Sequence, residues 1–175
     1  VSDKVLFLEE DVFETDISEA TVVTMYLLKS VNMGLRDKLI DKLKPGTRLV
    51  SHSFDMGSWL PDKHIFVKGH SVFYWIIPAR IQGYWEGEVD DKNLGLTIKQ
   101  KFQQIELKAK WGSDSLTIQD PVLNGPRISF RAMNTSTDDR YIFHGFIEEN
   151  SQIKGRVQIM GKDKRTIKEW LVIPG

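Results

Sequence analysis

The spacing of apolar positions changes near residue 80. Before that point, apolar runs of strand length alternate with one helical stripe. Residues 4–10 read as a short strand, with Val5 and Phe7 on one face and Leu6 and Leu8 on the other. Residues 21–28 are apolar on both faces, the pattern of a central parallel strand covered by helices. Residues 30–44 predict a helix. Leu35, Leu39 and Leu43 recur every fourth position and Ile40 widens the stripe, while Arg36, Asp37, Lys38, Asp41, Lys42 and Lys44 cover the remainder. Asn32 is placed to cap its start, and Pro45-Gly46 stops it. A further strand is expected over 47–54, then a loop over 54–62 with Gly57 and Pro61. A hairpin of 64–68 and 71–78 follows, turning at Gly69-His70.

Beyond residue 79 the period is two. Strands are expected over 81–89, 94–101, 104–111, 115–118, 127–133, 141–148, 152–160 and 166–173. Leu94, Leu96 and Ile98 point one way and Thr97 and Lys99 the other; Ile153, Val157 and Ile159 oppose Lys154, Arg156 and Gln158 in the same manner. Turn residues separate these runs: Asp90-Asp91-Lys92-Asn93, Gly112-Ser113-Asp114, Asn124-Gly125-Pro126, residues 134–140, Glu149-Asn150-Ser151 and residues 161–165. The fold class is therefore α/β followed by all-β, the latter a small antiparallel barrel or sandwich of about eight strands. The expected domains are 1–79 and 80–175. Trp75, Trp85, Trp111 and Trp170 are expected in the cores, and the basic turn Lys162-Asp163-Lys164-Arg165 as a solvated hairpin tip.

Composition narrows the function classes. With 24 basic and 24 acidic residues, the chain lacks the charge excess of an extended nucleic-acid surface. There is no cysteine, which excludes disulfides and thiolate metal sites. His64, His70 and His144 show no ligand spacing, so no metal is expected. The longest apolar runs, 21–28 and 72–77, are too short to span a bilayer. No leader is visible, and a cytoplasmic location is expected.

Two places carry candidate chemistry. Asp11 stands at the end of an expected parallel strand, followed by Val12 and Phe13. A carboxylate there can accept from an exocyclic amine, the next N–H can donate to a ring nitrogen, and Val12 or Phe13 can cover the ring. The set suits adenine; Glu9-Glu10-Asp11 as a solvated strand end is the alternative. Ser51, His52 and Asp55 have the residue types of a hydrolase triad. They crowd into one loop with no nucleophile elbow, which argues against that chemistry.

Three blocks carry a resemblance. The first runs from Glu10 through Asp11-Val12-Phe13-Glu14-Thr15-Asp16 to Leu28. The second is Leu43-Lys44-Pro45-Gly46-Thr47. The third is Ser51-His52-Ser53-Phe54-Asp55-Met56-Gly57-Ser58-Trp59-Leu60-Pro61-Asp62. In this order and spacing, residues 5–62 resemble the later half of a class I, seven-stranded, Rossmann-like S-adenosylmethionine-dependent methyltransferase. The resemblance is to a bacterial group with a β-rich C-terminal extension, whose opening is similar to the run from Tyr74 to Trp85. Ser58 departs from that group, which more often has Asp there.

The resemblance implies S-adenosylmethionine as cofactor, with Asp11 and Val12 at its adenine and Phe13 beside them. It places Thr24, Tyr26 and Leu27 at the methyl-donor pocket, and His52 and Asp55 on its substrate side. The family's glycine-rich turn is missing, since no Gly-x-Gly occurs anywhere. The chain is thus expected to be the C-terminal portion of a methyltransferase, with an incomplete sheet, binding the cofactor weakly or not at all by itself. The methyl acceptor, protein or small molecule, is not specified. A homodimer, including a domain-swapped form through 4–10 or 21–28, is expected to cover the open sheet edge. The alternative function is a non-enzymatic β-barrel module that binds a small apolar ligand or a partner protein.

Overall fold

The computed structural model describes residues 4–149, 151–161 and 165–175. Asn150 of one expected turn and residues 162–164 of the basic turn lie outside the described residues. The chain forms two compact units, Val1–Trp75 and Ile76–Gly175.

The first unit is built on a four-stranded sheet in the order β1-β2-β4-β3. Strand β1 (Val22–Met25) runs parallel to β2 (Arg48–His52), and helix α1 (Lys29–Lys42) makes the crossover between them. Strand β3 (Lys63–Val67) pairs antiparallel with β4 (His70–Ile76). Their turn uses left-handed backbone at Lys68 and Gly69, φ 48° and 87°, the twist a two-residue hairpin needs.

The fourfold leucine stripe does what its spacing requires: Leu35, Leu39 and Leu43 are buried together with Leu49 of β2. Leu43 N–H bonds Leu39 O as the helix closes ahead of Pro45-Gly46, and Gly46 adopts φ 97°. Trp59 and Trp75 are fully buried, and the Trp75 indole N–H donates to Trp59 O at 3.0 Å.

Three expectations fail here. Residues 4–10 form no strand; Leu6 and Phe7 are 79% and 90% exposed. Alternating apolar faces give a strand only where another strand offers it a ladder, and no described strand does so here. Strand β1 is four residues long and lies at the sheet edge rather than its centre, with Val22 and Thr24 exposed. Asn32 does not cap α1. The cap position is Leu28, without a side-chain bond, and Asn32 sits one turn inside, fully buried.

The second unit is a closed barrel of eight antiparallel strands, an up-and-down meander sealed where β12 meets β5. Its strands are β5 (Gly83–Val89), β6 (Lys92–Lys101), β7 (Gln104–Trp111), β8 (Asp114–Asn124), β9 (Arg127–Met133), β10 (Arg140–Ile147), β11 (Ile153–Met160) and β12 (Arg165–Pro174). Every strand places alternate side chains inward. Trp85, Trp111, Phe130, Phe143 and Trp170 fill the interior with Leu94, Leu96, Ile153, Val157 and Val172. An eight-stranded barrel is just wide enough to be filled in this way.

Strand β8 is longer than its turn residues suggested. It continues through a bulge between Gln119 and Val122, where Asp120 takes φ 49° and Pro121 is accommodated. Gln100 ties the lead-in to the barrel. Its Oε1 accepts from Ile81 N–H at 2.8 Å, and its Nε2 donates to Ala79 O and Phe102 O.

Glycine permits a close seam. Gly145, Gly155 and Trp170 are cross-strand neighbours on β10, β11 and β12. The indole lies over Gly145, and its N–H donates to His144 O at 3.1 Å. A Cβ on Gly145 would stand 2.6 Å from the indole; one on Gly155 would stand 1.9 Å from His144 O.

Candidate functional site

The carboxyl ends of β1 and β2 are where a parallel βαβ unit presents ligand-binding groups. Tyr26 follows β1 directly, and His52 is the last residue of β2. Their rings meet edge-on with centroids 4.8 Å apart, and the His70 ring lies 4.7 Å from His52. Ser53 Oγ is 3.0 Å from His52 Nδ1, and Ser53 itself takes φ 67°, with its N–H donating to Ser71 O. Tyr26 is 80% exposed, so this aromatic row is open to solvent.

Asp55 sits in the loop after β2. Its Oδ1 accepts from Gly57 N–H at 3.0 Å and pairs with Lys29 Nζ at 3.3 Å. Of the residues expected at a substrate pocket, the fold brings Tyr26 and His52 into contact. Asp55 is occupied by Lys29 and its own loop, Thr24 is exposed on β1, and Leu27 is half-buried after it. Ser51, His52 and Asp55 form no relay: Ser51 is fully buried and donates to Phe54 O at 2.7 Å.

A buried polar knot fixes the loop that carries Asp55. Asn32 Nδ2 donates to Ser51 Oγ at 3.0 Å and to Phe54 O at 3.1 Å. The Phe54 carbonyl fixes the amide orientation, because a flip would set two acceptors face to face. Asn32 Oδ1 is buried without a partner among the described residues.

The second element is the connection before β1. Asp11 begins a tight turn: its Oδ1 accepts from Phe13 N–H at 2.9 Å, and its carbonyl accepts from the N–H groups of Glu14 and Thr15 and from Thr15 Oγ1. Lys38 on α1 holds the turn down. Its ammonium donates to Val12 O, Phe13 O and Thr15 O at 3.2, 2.7 and 2.7 Å. Phe13 lies against Gly34, where a Cβ would stand 3.0 Å from the ring. Phe13 therefore braces the turn on α1. Two residues on, Ser18 N–H and then its hydroxyl hold the Asp16 carboxyl below the usual carboxylate range.

Sequence reasoning placed Lys38 among the residues that cover the polar face of the helix and missed its role, as it missed Lys29, Ser53 and His70. Each acts on residues far along the chain or across the sheet, so no local spacing marks it.

Residues 1–63 match the ANTKMT methyltransferase domain. A protein-lysine N-methyltransferase of Saccharolobus islandicus (strain REY15A) is 46% identical over 81 residues, which cover 44% of this chain and 50% of that protein. The crystal structure of an RNA methyltransferase from Salinibacter ruber in complex with S-adenosyl-L-homocysteine shares 56% identity, covering 43% of this chain and 49% of that one, with a TM-score of 0.42. The chain thus spans about half the length of each of these relatives. No helix among the described residues is long and apolar enough to cross a membrane.

Proposed function

We propose that the first unit is the C-terminal portion of an S-adenosylmethionine-dependent methyltransferase domain. The observation that carries this reading is the row Tyr26, His52 and His70 at the carboxyl ends of the parallel pair β1 and β2. That is the edge at which such sheets meet ligands. The match of residues 1–63 to a methyltransferase domain supports it.

The residues present fit one end of the cofactor. Asp11 spends one carboxylate oxygen on Phe13 N–H, which leaves the other for an exocyclic amine. Val12 supplies a backbone N–H and an exposed apolar side chain. Lys38 and Phe13 hold the turn so that these groups are presented together. When bound, the cofactor supplies an electrophilic sulfonium methyl. The protein's own part is to orient the acceptor against that methyl and to exclude water. On this reading Tyr26 and His52 face the approaching acceptor, and Asp55 is paired with Lys29.

On this reading the rest of the cofactor site, with its glycine-rich turn and ribose-binding carboxylate, belongs to the preceding half of the domain, and no Gly-x-Gly occurs in these 175 residues. Titration calorimetry with S-adenosylhomocysteine tests the reading. The 175-residue chain is expected to bind at least about 100-fold more weakly than the complete gene product, the loss that follows from removing several polar anchors. In the complete product, Asp11→Ala should weaken binding by about 10-fold. Undiminished affinity in the Asp11→Ala protein would remove the adenine assignment. A complete product with no affinity would remove the methyltransferase reading.

A further inference from the structure

One end of the barrel holds a cavity of about 230 Å³ that the methyltransferase reading does not use. It is framed by the β5–β6 hairpin, the start of β8 and the loop between β9 and β10. Trp111 and Tyr141 form its apolar corner, with ring centroids 4.9 Å apart and planes at 61°. Both rings are more than nine-tenths buried, so their positions are set by the barrel core and not by solvent.

Among the described residues, the polar lining holds three carboxylates, Asp90, Asp114 and Asp139, and one amine, Lys92. Lys92 is exposed at the rim, its stem lying by Gly112. Asp90 is neutralised by Lys168, whose ammonium it holds above its ordinary pKa at 2.7 Å. Asp114 and Asp139 are held by neutral donors instead. Asp114 accepts from Asn134 Nδ2 at 3.0 Å and from Ser113 Oγ, and Asp139 accepts from Thr137 Oγ1 at 2.8 Å. These neutral donors orient the carboxylates without cancelling their charge, and neither forms an ion pair among the described residues. The Tyr141 hydroxyl registers the resulting field. Burial raises its pKa first, and the charges of Asp139 and Asp114 raise it further.

We propose that this barrel mouth binds a compact organic cation of the methylated-ammonium class, set in the Trp111–Tyr141 corner and neutralised by Asp114 and Asp139. A corner of two rings with carboxylates behind it attracts a cation twice, through the ring quadrupoles and through direct charge. The cavity lies below the roughly 300–1,000 Å³ of drug-sized sites, which favours a head group over a fused ring system. The carboxylates count against phosphate and carboxylate ligands. The inference does not depend on the methyltransferase reading, because every residue it uses lies in the second unit.

Calorimetric titration of the 175-residue chain with choline, and separately with its neutral isostere 3,3-dimethyl-1-butanol, tests the site. Choline should bind saturably, with the isostere at least about 10-fold weaker. Asp139→Asn and Asp114→Asn should each weaken choline by about 10-fold. Should Asp114→Asn disturb the fold through the lost Asn134 bond, Asp139→Asn still decides the matter, since its partner is the exposed Thr137 hydroxyl. Absence of saturable choline binding, equal binding of the isostere, or unchanged affinity in folded Asp139→Asn protein would each overturn the assignment.

Discussion

Gly155→Ala makes the sharpest test of how the barrel holds together. The added Cβ would lie 1.9 Å from His144 O, 2.8 Å from the His144 carbonyl carbon and 2.7 Å from Gly145 Cα. All three are backbone atoms of the paired strand, so no rotamer change relieves the contact. To reach an ordinary separation the strands must part by more than about 1 Å, in the middle of the eight-residue ladder between β10 and β11. The same carbonyl accepts the Trp170 indole N–H, so parting also disturbs the largest side chain of the seam. Overpacking against mobile side chains costs about 1–3 kcal/mol. Against backbone, with a ladder and an indole bond at stake, we expect about 3 kcal/mol or more. For a unit of this size that lowers Tm by roughly 12–24 °C.

Urea unfolding followed by tryptophan fluorescence, with a thermal scan beside it, measures the change. Gly112→Ala is the control. That position has φ 61° but only Lys92 Cδ, at 3.9 Å, near the added carbon, so it isolates the cost of left-handed backbone, about 1 kcal/mol. A Gly155→Ala protein that melts within about 3 °C of the parent would refute the close-seam argument, and with it the account of why β10 and β11 carry glycine at these inward positions.

Two further outcomes follow from single side chains. Lys38→Met removes the ammonium that joins three carbonyls of the turn at Asp11, and should cost about 1–2 kcal/mol. Hydrogen exchange at residues 12–16 should accelerate while β2 stays protected; unchanged exchange there would show that Phe13 alone secures the turn. Tyr141 carries a pH effect whose direction is set by its raised pKa, with burial the larger cause. Its contribution is fully present below the unfolded tyrosine value and is lost as pH rises through the folded one. Stability should therefore fall above about pH 10. Tyr141→Phe should flatten that decline in urea unfolding measured from pH 9 to 11; an identical slope in both proteins would assign it to other groups.

The barrel was legible because its information is local. A period-two pattern such as Leu94, Leu96, Ile98 buries itself wherever strands close, and the expected ranges 104–111 and 127–133 coincide with β7 and β9. Its closure was not legible. Whether β12 seals against β5 depends on accumulated twist and on how nearly the strands can approach, and at that seam Gly87 lies beside Leu171 O. Strand β8 was underestimated because Pro121 reads as a terminator, while a bulge carries it through.

The candidate site divides in the same way. Spacing placed His52 at a strand end, the family resemblance pointed to Tyr26, and the stop after Leu43 followed from Pro45-Gly46, whereas Asp11 and Val12 were expected at the end of a strand that does not form. Which groups then meet was decided in three dimensions. Lys38 reaches back 25 residues to Phe13, Asn32 turns inward to Ser51, and His70 joins His52 from a different strand. Residues 4–10 show the limit from the other side, since a strand exists only with a neighbour to share its hydrogen bonds. Periodicity tells which face of an element seeks burial; it carries no account of the partner that provides it.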